Sequence, residues 1–311
     1  MDNINEQGID TRRRFLQKAG VLTAMPFLVS FGTYKSSLKR AKTFKVLTCN
    51  IRVDLPEDEE KGRGWKQRRE ACVRVIKNQE ADVIGFQEVL SNQFLDLKKF
   101  LPGYIALGFD GPEMDKYKEG YHGIAKNPIL FSKKRFELLN AGGYWLSETP
   151  LVAGSLSWES ARARNASWVR LYDKETDREF RVVNLHLDHV KNEAKLEQIK
   201  MVLQESAQYP SEFVQILTGD FNSGPDSQVV QAVLDAGWKD SYAEVYPGII
   251  PETSTNGFKP HDAERNAKAK KIDFIFVKGP VCALQSTIIK EHFKGVYPSD
   301  HYFVDAVLDF S

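Results

Sequence analysis

The sequence predicts an α/β protein in which two sheets pack face to face with helices outside. Strand-like runs of period 2 alternate with helix-like runs of period 3.6 from residue 43 almost to the end. Helices separate some of the strands and short turns separate others, so the sheets are of mixed direction, and two such sheets bury their remaining faces under helices. No repeat, low-complexity tract or long linker interrupts this alternation, so a single domain is expected over residues 42–311.

Residues 43–53 open the domain as a strand, with Leu47, Cys49, Ile51 and Val53 on one face and Val46, Thr48 and Asn50 on the other. Residues 65–79 place Trp65, Arg69, Cys72, Val73 and Ile76 along one helical stripe. Residues 82–89 form an apolar strand ending in Gln87-Glu88. Ser91 is expected to N-cap a helix running to Leu101, with Phe94, Leu95, Lys98 and Leu101 inward. The stretch 108–123, rich in Gly, Asp, Lys and Tyr, reads as a surface loop. Short strands follow at 129–131, 136–139 and 144–146, then strands at 167–172 and 180–187 joined by a turn at Thr176-Asp177. Residues 191–208 are helical, with Leu196, Ile199 and Leu203 at i, i+3 and i+7. A strand at 214–218, a helix at 227–236 closed by Gly237, and strands at 272–277 and 302–308 complete the chain.

Hydrophobic content of 42% and charged content of 27% are ordinary for a globular chain, and a net charge of +1 gives no field for gripping long nucleic acid or an anionic membrane. Residues 1–40 read differently. Arg12-Arg13-Arg14-Phe15-Leu16 precedes an apolar stretch, 19–32, that is short for a membrane span. Together they have the form of a twin-arginine export signal followed by a short basic linker. The expected partner is the twin-arginine export machinery, and the expected location is periplasmic or extracellular after cleavage. No stable protein partner is expected. Cys49, Cys72 and Cys282 show no CxxC spacing and no paired framework, against both zinc and a disulfide scaffold. Cys49 and Cys72 fall on apolar faces as buried thiols.

Polar groups recur where the apolar strands end. Asn50 follows Val46-Leu47-Thr48-Cys49, and Glu88 follows Val83-Ile84-Gly85-Phe86-Gln87. Asn184 and His186 share one face of a strand, and Asp220-Phe221-Asn222 leaves the next. Asp273 lies within Ile272-Asp273-Phe274-Ile275-Phe276, and Ser299-Asp300-His301 precedes the last strand. Taken singly, Asn50 is explained as a strand-end hydrogen bonder, Glu88 as a helix cap or surface ion pair, His186 as a satisfied core histidine and Asp273 as a turn anchor. Their coincidence in apolar surroundings points instead to pairing or to metal binding.

The ordered set Cys49-Asn50-Ile51, Gln87-Glu88, Asn184-Leu185-His186-Leu187, Gly219-Asp220-Phe221-Asn222, Ile272-Asp273-Phe274-Ile275 and Ser299-Asp300-His301 resembles the endonuclease/exonuclease/phosphatase superfamily, across residues 44–310. Leu146-Ser147-Glu148-Thr149-Pro150 and His186-Leu187-Asp188-His189-Val190 resemble an often exported bacterial branch of it. The resemblance implies a four-layer α/β/β/α sandwich with the site at one edge of the paired sheets. It implies Mg²⁺ or Mn²⁺ held by Glu88 and Asn50, with Asp300 on the metal side, in keeping with the hard oxygen ligands these ions prefer. It also implies that Asp220 orients or deprotonates water, Asn222 and His186 contact the phosphate, and His301, fixed by Asp273, binds phosphate or acts as base. One metal or two would use the same ligands.

Arg162 and Arg164 precede Trp168-Val169 and stand as phosphate clamps or as solvated surface. Asn184 and His189 complete the expected substrate-binding set, and Asp188 either extends the site or caps the following helix. In the branch, an acid often precedes the Asn-Pro-Ile strand entry, whereas here Ala125-Lys126 stand before Asn127-Pro128-Ile129. That departure bears on substrate and not on metal. The expected activity is an exported metal-dependent phosphoesterase, hydrolysing a phosphomonoester or phosphodiester by in-line attack of water, with a sugar phosphate or nucleotide favoured. A nuclease acting on DNA or RNA is the alternative within the class, and a catalytically silent surface-binding module the alternative outside it.

Overall fold

The strands divide into two mixed sheets of six. The computed structural model describes residues 43–108 and 125–310, so the signal-like segment 1–40 and most of the loop expected at 108–123 lie outside the described residues. In chain order the first elements are β1 (Thr43–Asn50), α1 (Pro56–Glu60), α2 (Trp65–Gln79), β2 (Val83–Gln87), α3 (Ser91–Phe100), β3 (Tyr104–Leu107) and β4 (Ile129–Ser132). Then come β5 (Phe136–Trp145), β6 (Asn165–Asp173), β7 (Arg178–His186), α4 (Asn192–Ser206), β8 (Val214–Asp220) and α5 (Gln228–Asp235). The last are β9 (Lys239–Asp240), α6 (Ser241–Val245), α7 (Ala263–Lys268), β10 (Asp273–Lys278), β11 (Cys282–Ile289) and β12 (Phe303–Asp309). One sheet has the order β11-β12-β1-β2-β4-β3 and the other β5-β6-β7-β8-β10-β9.

Period-2 alternation assigns each sheet face its cover. Leu47, Cys49, Ile84 and Phe86 face outward under α2 and α3, packed with Trp65, Cys72, Ile76 and Phe94. Val183, Leu185, Leu217, Phe274 and Phe276 face outward from the other sheet, packed with Ile199 and Val202 of α4 and Val230 and Val233 of α5. The inner faces meet through Val46, Val83, Phe131, Val182, Ile216, Ile275, Val304 and their neighbours. The result is the expected α/β/β/α sandwich.

The layer between the sheets changes character along its length. At one end Phe44, Phe136, Phe180 and Phe310 close it, with Phe44 stacked on Phe310 at 4.7 Å between centroids and edge-on to Phe136. Toward the other end the inward residues become polar. Gln87 donates to the Asn184 carboxamide oxygen at 2.6 Å, Thr218 donates to the same oxygen at 3.0 Å, and the Asn184 nitrogen donates to the Phe86 carbonyl at 2.8 Å. All these groups are buried. Gly85 makes the room: a Cβ there would lie 2.4 Å from Thr218 Oγ1 and 2.7 Å from Asn184 Oδ1.

Several elements differ from expectation. The strand expected to reach Val53 stops at Asn50, and Arg52 turns the chain with φ of +58°. Leu90, not Ser91, is the N-cap of α3, and its amide is satisfied by the Gln93 side chain at 3.0 Å. The strands expected at 136–139 and 144–146 are one strand, β5, continued through an irregularity between Leu138 and Asn140. β11 is an edge strand whose mixed exposure hides its period. Ser227, expected as the first residue of the helix, is the N-cap of α5 and accepts from the Val230 amide.

Replacing Gly85 with Ala overfills the polar layer, and a loss of about 1–3 kcal/mol is expected. Urea unfolding of the wild type and the variant measures it, and an unchanged midpoint would show that the two sheets have slack there.

Candidate active site

Strand register builds the catalytic edge. β7 and β8 run parallel with His186 beside Asp220, and β10 runs antiparallel with Asp273 on the other side of Asp220. Three ionisable side chains therefore stand abreast on the inner face of one sheet. The other sheet brings Asn50 at the end of β1, paired in register with Gln87, and Glu88 one residue beyond β2. Glu88 and Asn222 have φ of +63° and +48°, where the chain turns out of a strand. Such left-handed conformations are uncommon outside glycine and concentrate at functional sites.

Asn50 spans the gap between sheets. Its nitrogen donates to Glu88 Oε1 at 3.1 Å and to Asp220 Oδ2 at 3.0 Å, and its oxygen accepts from the Arg52 amide at 3.0 Å. The amide thus turns its nitrogen to the carboxylates and tethers the two acids. Glu88 is held further by the Val53 amide at 2.9 Å. Glu88, His186 and Asp220 each present a donor atom, all within 4.8 Å of one another. Two carboxylates this close, with the imidazole beside them, fit a divalent cation that prefers oxygen ligands. Asp300 lies on the same side, with Oδ2 3.5 Å from Arg52 Nη1.

The opposite side is an acid–histidine pair. His301 Nδ1 donates to Asp273 Oδ2 at 2.9 Å, and the Ser254 hydroxyl donates to the same oxygen at 2.6 Å. Burial alone would lower the His301 pKa, but the charge and hydrogen bond of Asp273 outweigh it and raise it well above 6.5. This His is therefore cationic at neutral pH. Asp220 is fully buried, and burial followed by the charge of Asp273 pushes its carboxyl up to about 7. His186 is the reverse case, its pKa lowered by burial and then by the charge of Arg164. Asn222 Nδ2 meets both His186 Nε2 at 2.9 Å and the Leu187 carbonyl at 3.1 Å. The carbonyl can only accept, which fixes the amide nitrogen toward the ring. His186 is thus neutral with its proton on Nδ1.

The rim is built around Asp188, for which the sequence left two uses open. Asp188 is buried and accepts from the Ala161 amide, the Ser160 hydroxyl and the Val190 and Lys191 amides. It serves as the first-turn anchor of α4 and brings the loop of Arg162 and Arg164 beside His189. Arg164 Nη2 lies 3.2 Å from His189 Nδ1. Arg162 is half-buried and exerts its charge on His189. Lys195, also buried, reaches the Asn222 carbonyl at 3.1 Å. Asn184, expected at the substrate, shares a face with His186 but lies deeper, with both ends of its amide spent between the sheets. Lys126, in place of an acid, is buried with Nζ 3.0 Å from Ser91 Oγ. Ser254 lies in a run of Thr and Ser with no strand pattern before it, so periodicity offered no signal.

A two-sheet α/β sandwich with carboxylates, amides and imidazoles gathered at its shared edge defines a class of hydrolases that act on phosphoesters. The chain belongs to the Endonuclease/Exonuclease/phosphatase family, whose model matches residues 47–301. It is similar to the structure of an endonuclease/exonuclease/phosphatase from Bacteroides vulgatus, 30% identical, covering 86% of this chain and 99% of that one with a TM-score of 0.75. It is equally similar to a mannosyl-6-phosphatase from Bacteroides thetaiotaomicron, 28% identical, covering 86% and 100% with a TM-score of 0.76. An uncharacterised protein of Acanthamoeba polyphaga mimivirus is 26% identical over 132 residues, which is 40% of this chain and 19% of that protein.

The titrating cluster predicts a pH response. Folded Asp220 keeps its proton up to about 7, whereas the ordinary value is 3.8, so its contribution to stability is lost as pH rises across that window. The raised pKa of His301 gives a contribution that is full below 6.5 and is lost as pH rises through the higher folded value. Both act in one direction, and His186, whose lowered pKa acts the other way, does so only up to its ordinary 6.5. Above that value, metal-free protein is expected to melt lower at about pH 8 than at about pH 7, and added Mg²⁺ or Mn²⁺ to stabilise it more at the higher pH, because ligands bind metal deprotonated. Melting curves of wild type and Asp220→Asn with chelator and with metal check this; a wild type whose metal-free melting temperature rises over that interval contradicts it.

Proposed function

We propose that the chain is an Mg²⁺- or Mn²⁺-dependent phosphoesterase that hydrolyses small phosphorylated substrates, a sugar phosphate in preference to a nucleic acid. One observation carries the reading: at the same strand ends, Glu88 and Asp220 meet through Asn50 across the sheets, and the Asp273–His301 pair stands beside them. A passive binding module has no need of a buried carboxyl poised near neutrality next to a cationic imidazole. The near-neutral charge of the chain and its likeness, over 86% of its length, to a mannosyl-6-phosphatase support the small substrate over the nuclease alternative.

Glu88 and Asp220 would hold the ion, with His186 and Asp300 on its flanks. When bound, the ion supplies charge neutralisation at a non-bridging oxygen and at the departing oxygen. The rest of the work falls to the chain. Asp220 is the acceptor for the proton of the attacking water, through the oxygen it does not give to the ion, since His301 is already protonated. His301, oriented through Nδ1 by Asp273, presents Nε2–H to a phosphate oxygen. Neutral His186 accepts from Asn222 at Nε2, and Arg162 and Arg164 supply positive charge at the rim. The Arg12-Arg13-Arg14-Phe15-Leu16 signal supports an exported enzyme.

The test is hydrolysis of p-nitrophenyl phosphate and bis-p-nitrophenyl phosphate with Mg²⁺ or Mn²⁺ against chelator. Turnover is expected only with metal, falling at least about tenfold to a hundredfold in Glu88→Ala and in His301→Ala. Wild-type rates in both variants would remove these residues from the mechanism, and folded, metal-supplemented protein that hydrolyses no phosphoester would favour the binding module.

A further inference from the structure

Buried polar atoms in native proteins are almost always hydrogen-bonded, so a group of them without partners marks a place where something else supplies the bonds. Five of the eleven such side-chain atoms among the described residues gather on one flank of the catalytic edge: Asn127 Oδ1, Arg164 Nε, Asn165 Nδ2, Ser167 Oγ and His186 Nδ1. Each of these residues is 5% exposed or less.

The topology places them together. Ser167 pairs with Asn184 and Ala166 with Leu185, so Asn165 comes one step further along, beside His186. Residues opposed in this way stand about 5 Å apart on the same face. Asn127 reaches across from the other sheet, its nitrogen donating to the Asn165 carbonyl at 2.8 Å and to Asn165 Oδ1 at 3.0 Å. Arg164 adjoins Asn165 in sequence and lies close enough to His186 to depress its pKa. The other terminal atom of each carboxamide is left unpaired.

We infer that this flank is a subsite for the hydroxyl-bearing, sugar part of a phosphate ester whose phosphorus sits at the catalytic edge. The inference rests on the phosphoesterase reading and adds to it the part of the substrate that does not react. The chemistry of the set selects the class. A second phosphate would call for donors alone, yet Asn127 offers an acceptor and Ser167 both. A nucleobase would call for a stacking face, and four of the five side chains have no aromatic ring. Neighbouring hydroxyls each give and take one hydrogen bond, which matches a mixture of amide, hydroxyl and guanidinium groups. A site built to bond a hydroxyl also rejects a ligand lacking it, because its own buried groups are then left unpaired.

The experiment is steady-state kinetics of the metal-supplemented full chain on a hexose 6-phosphate, its single-deoxy analogues and p-nitrophenyl phosphate. Wild type is expected to prefer the hexose phosphate and to lose about tenfold or more in kcat/KM on at least one deoxy analogue, as loss of a buried hydrogen bond implies. In Asn165→Ala that penalty is expected to disappear, so that the variant and the missing hydroxyl are not additive. Asn165→Ser, a smaller change, provides the same cycle should Asn165→Ala fail to fold. Deoxy penalties that persist unchanged in the variants would identify the cluster as structural polar packing and overturn the subsite. Wild type that hydrolyses p-nitrophenyl phosphate with no preference for the sugar ester overturns the subsite alone, and wild type that hydrolyses neither overturns the phosphoesterase reading with it.

Discussion

Two carboxylates from different sheets must approach one another at the active edge, and one carboxamide decides how they do so. Unshielded charges at this separation in a buried site repel strongly. Asn50 places a neutral double donor between Glu88 and Asp220, and the Arg52 amide holds the donor side in place by occupying the oxygen. The chain can offer that amide because Arg52 adopts a left-handed conformation and ends β1 there. The spacing of the acids and the fit to a divalent ion both depend on this arrangement.

Beneath the edge, the space between the sheets is graded from aromatic to polar. The phenylalanine cluster at one end needs no partners beyond contact, and it seals the sandwich. The amide and hydroxyl layer around Asn184 demands directional bonds, so it fixes the relative position of the sheets where the catalytic groups require it. Such a layer is costly if any member is lost, which accounts for a glycine at position 85 where the opposing side chains come closest.

The sequence made the strand-end residues legible, because a carboxylate or imidazole after an apolar run has few ordinary uses. Asn50, Glu88, His186, Asp220, Asp273 and His301 do meet. Depth was not legible: Asn184 and His186 share a face by period 2, and only the opposing sheet shows that one is spent on packing. Roles set by hydrogen-bond direction were hidden as well, as with Asn50, whose orientation depends on a backbone amide two residues on. The inward residues of β6 change from Leu171 and Val169 to Ser167 and Asn165 with the same periodicity, yet polar residues near a strand end read as an ordinary exit. Lys195 acts through the backbone of a loop distant in sequence, as Asp188 does at Ala161, and no local pattern encodes either contact.

β1 lies at the centre of its sheet, between β2 and β12, so the first strand of the domain finds one of its two neighbours only in the last. The same two regions supply Asn50 and His301. A nascent chain therefore carries its first strand with an open edge throughout synthesis, and it acquires a complete reaction centre only when β12 has emerged. Assembly of the site is in this sense a closing event in the life of the chain, and a truncation that removes β12 costs both the sheet and the chemistry.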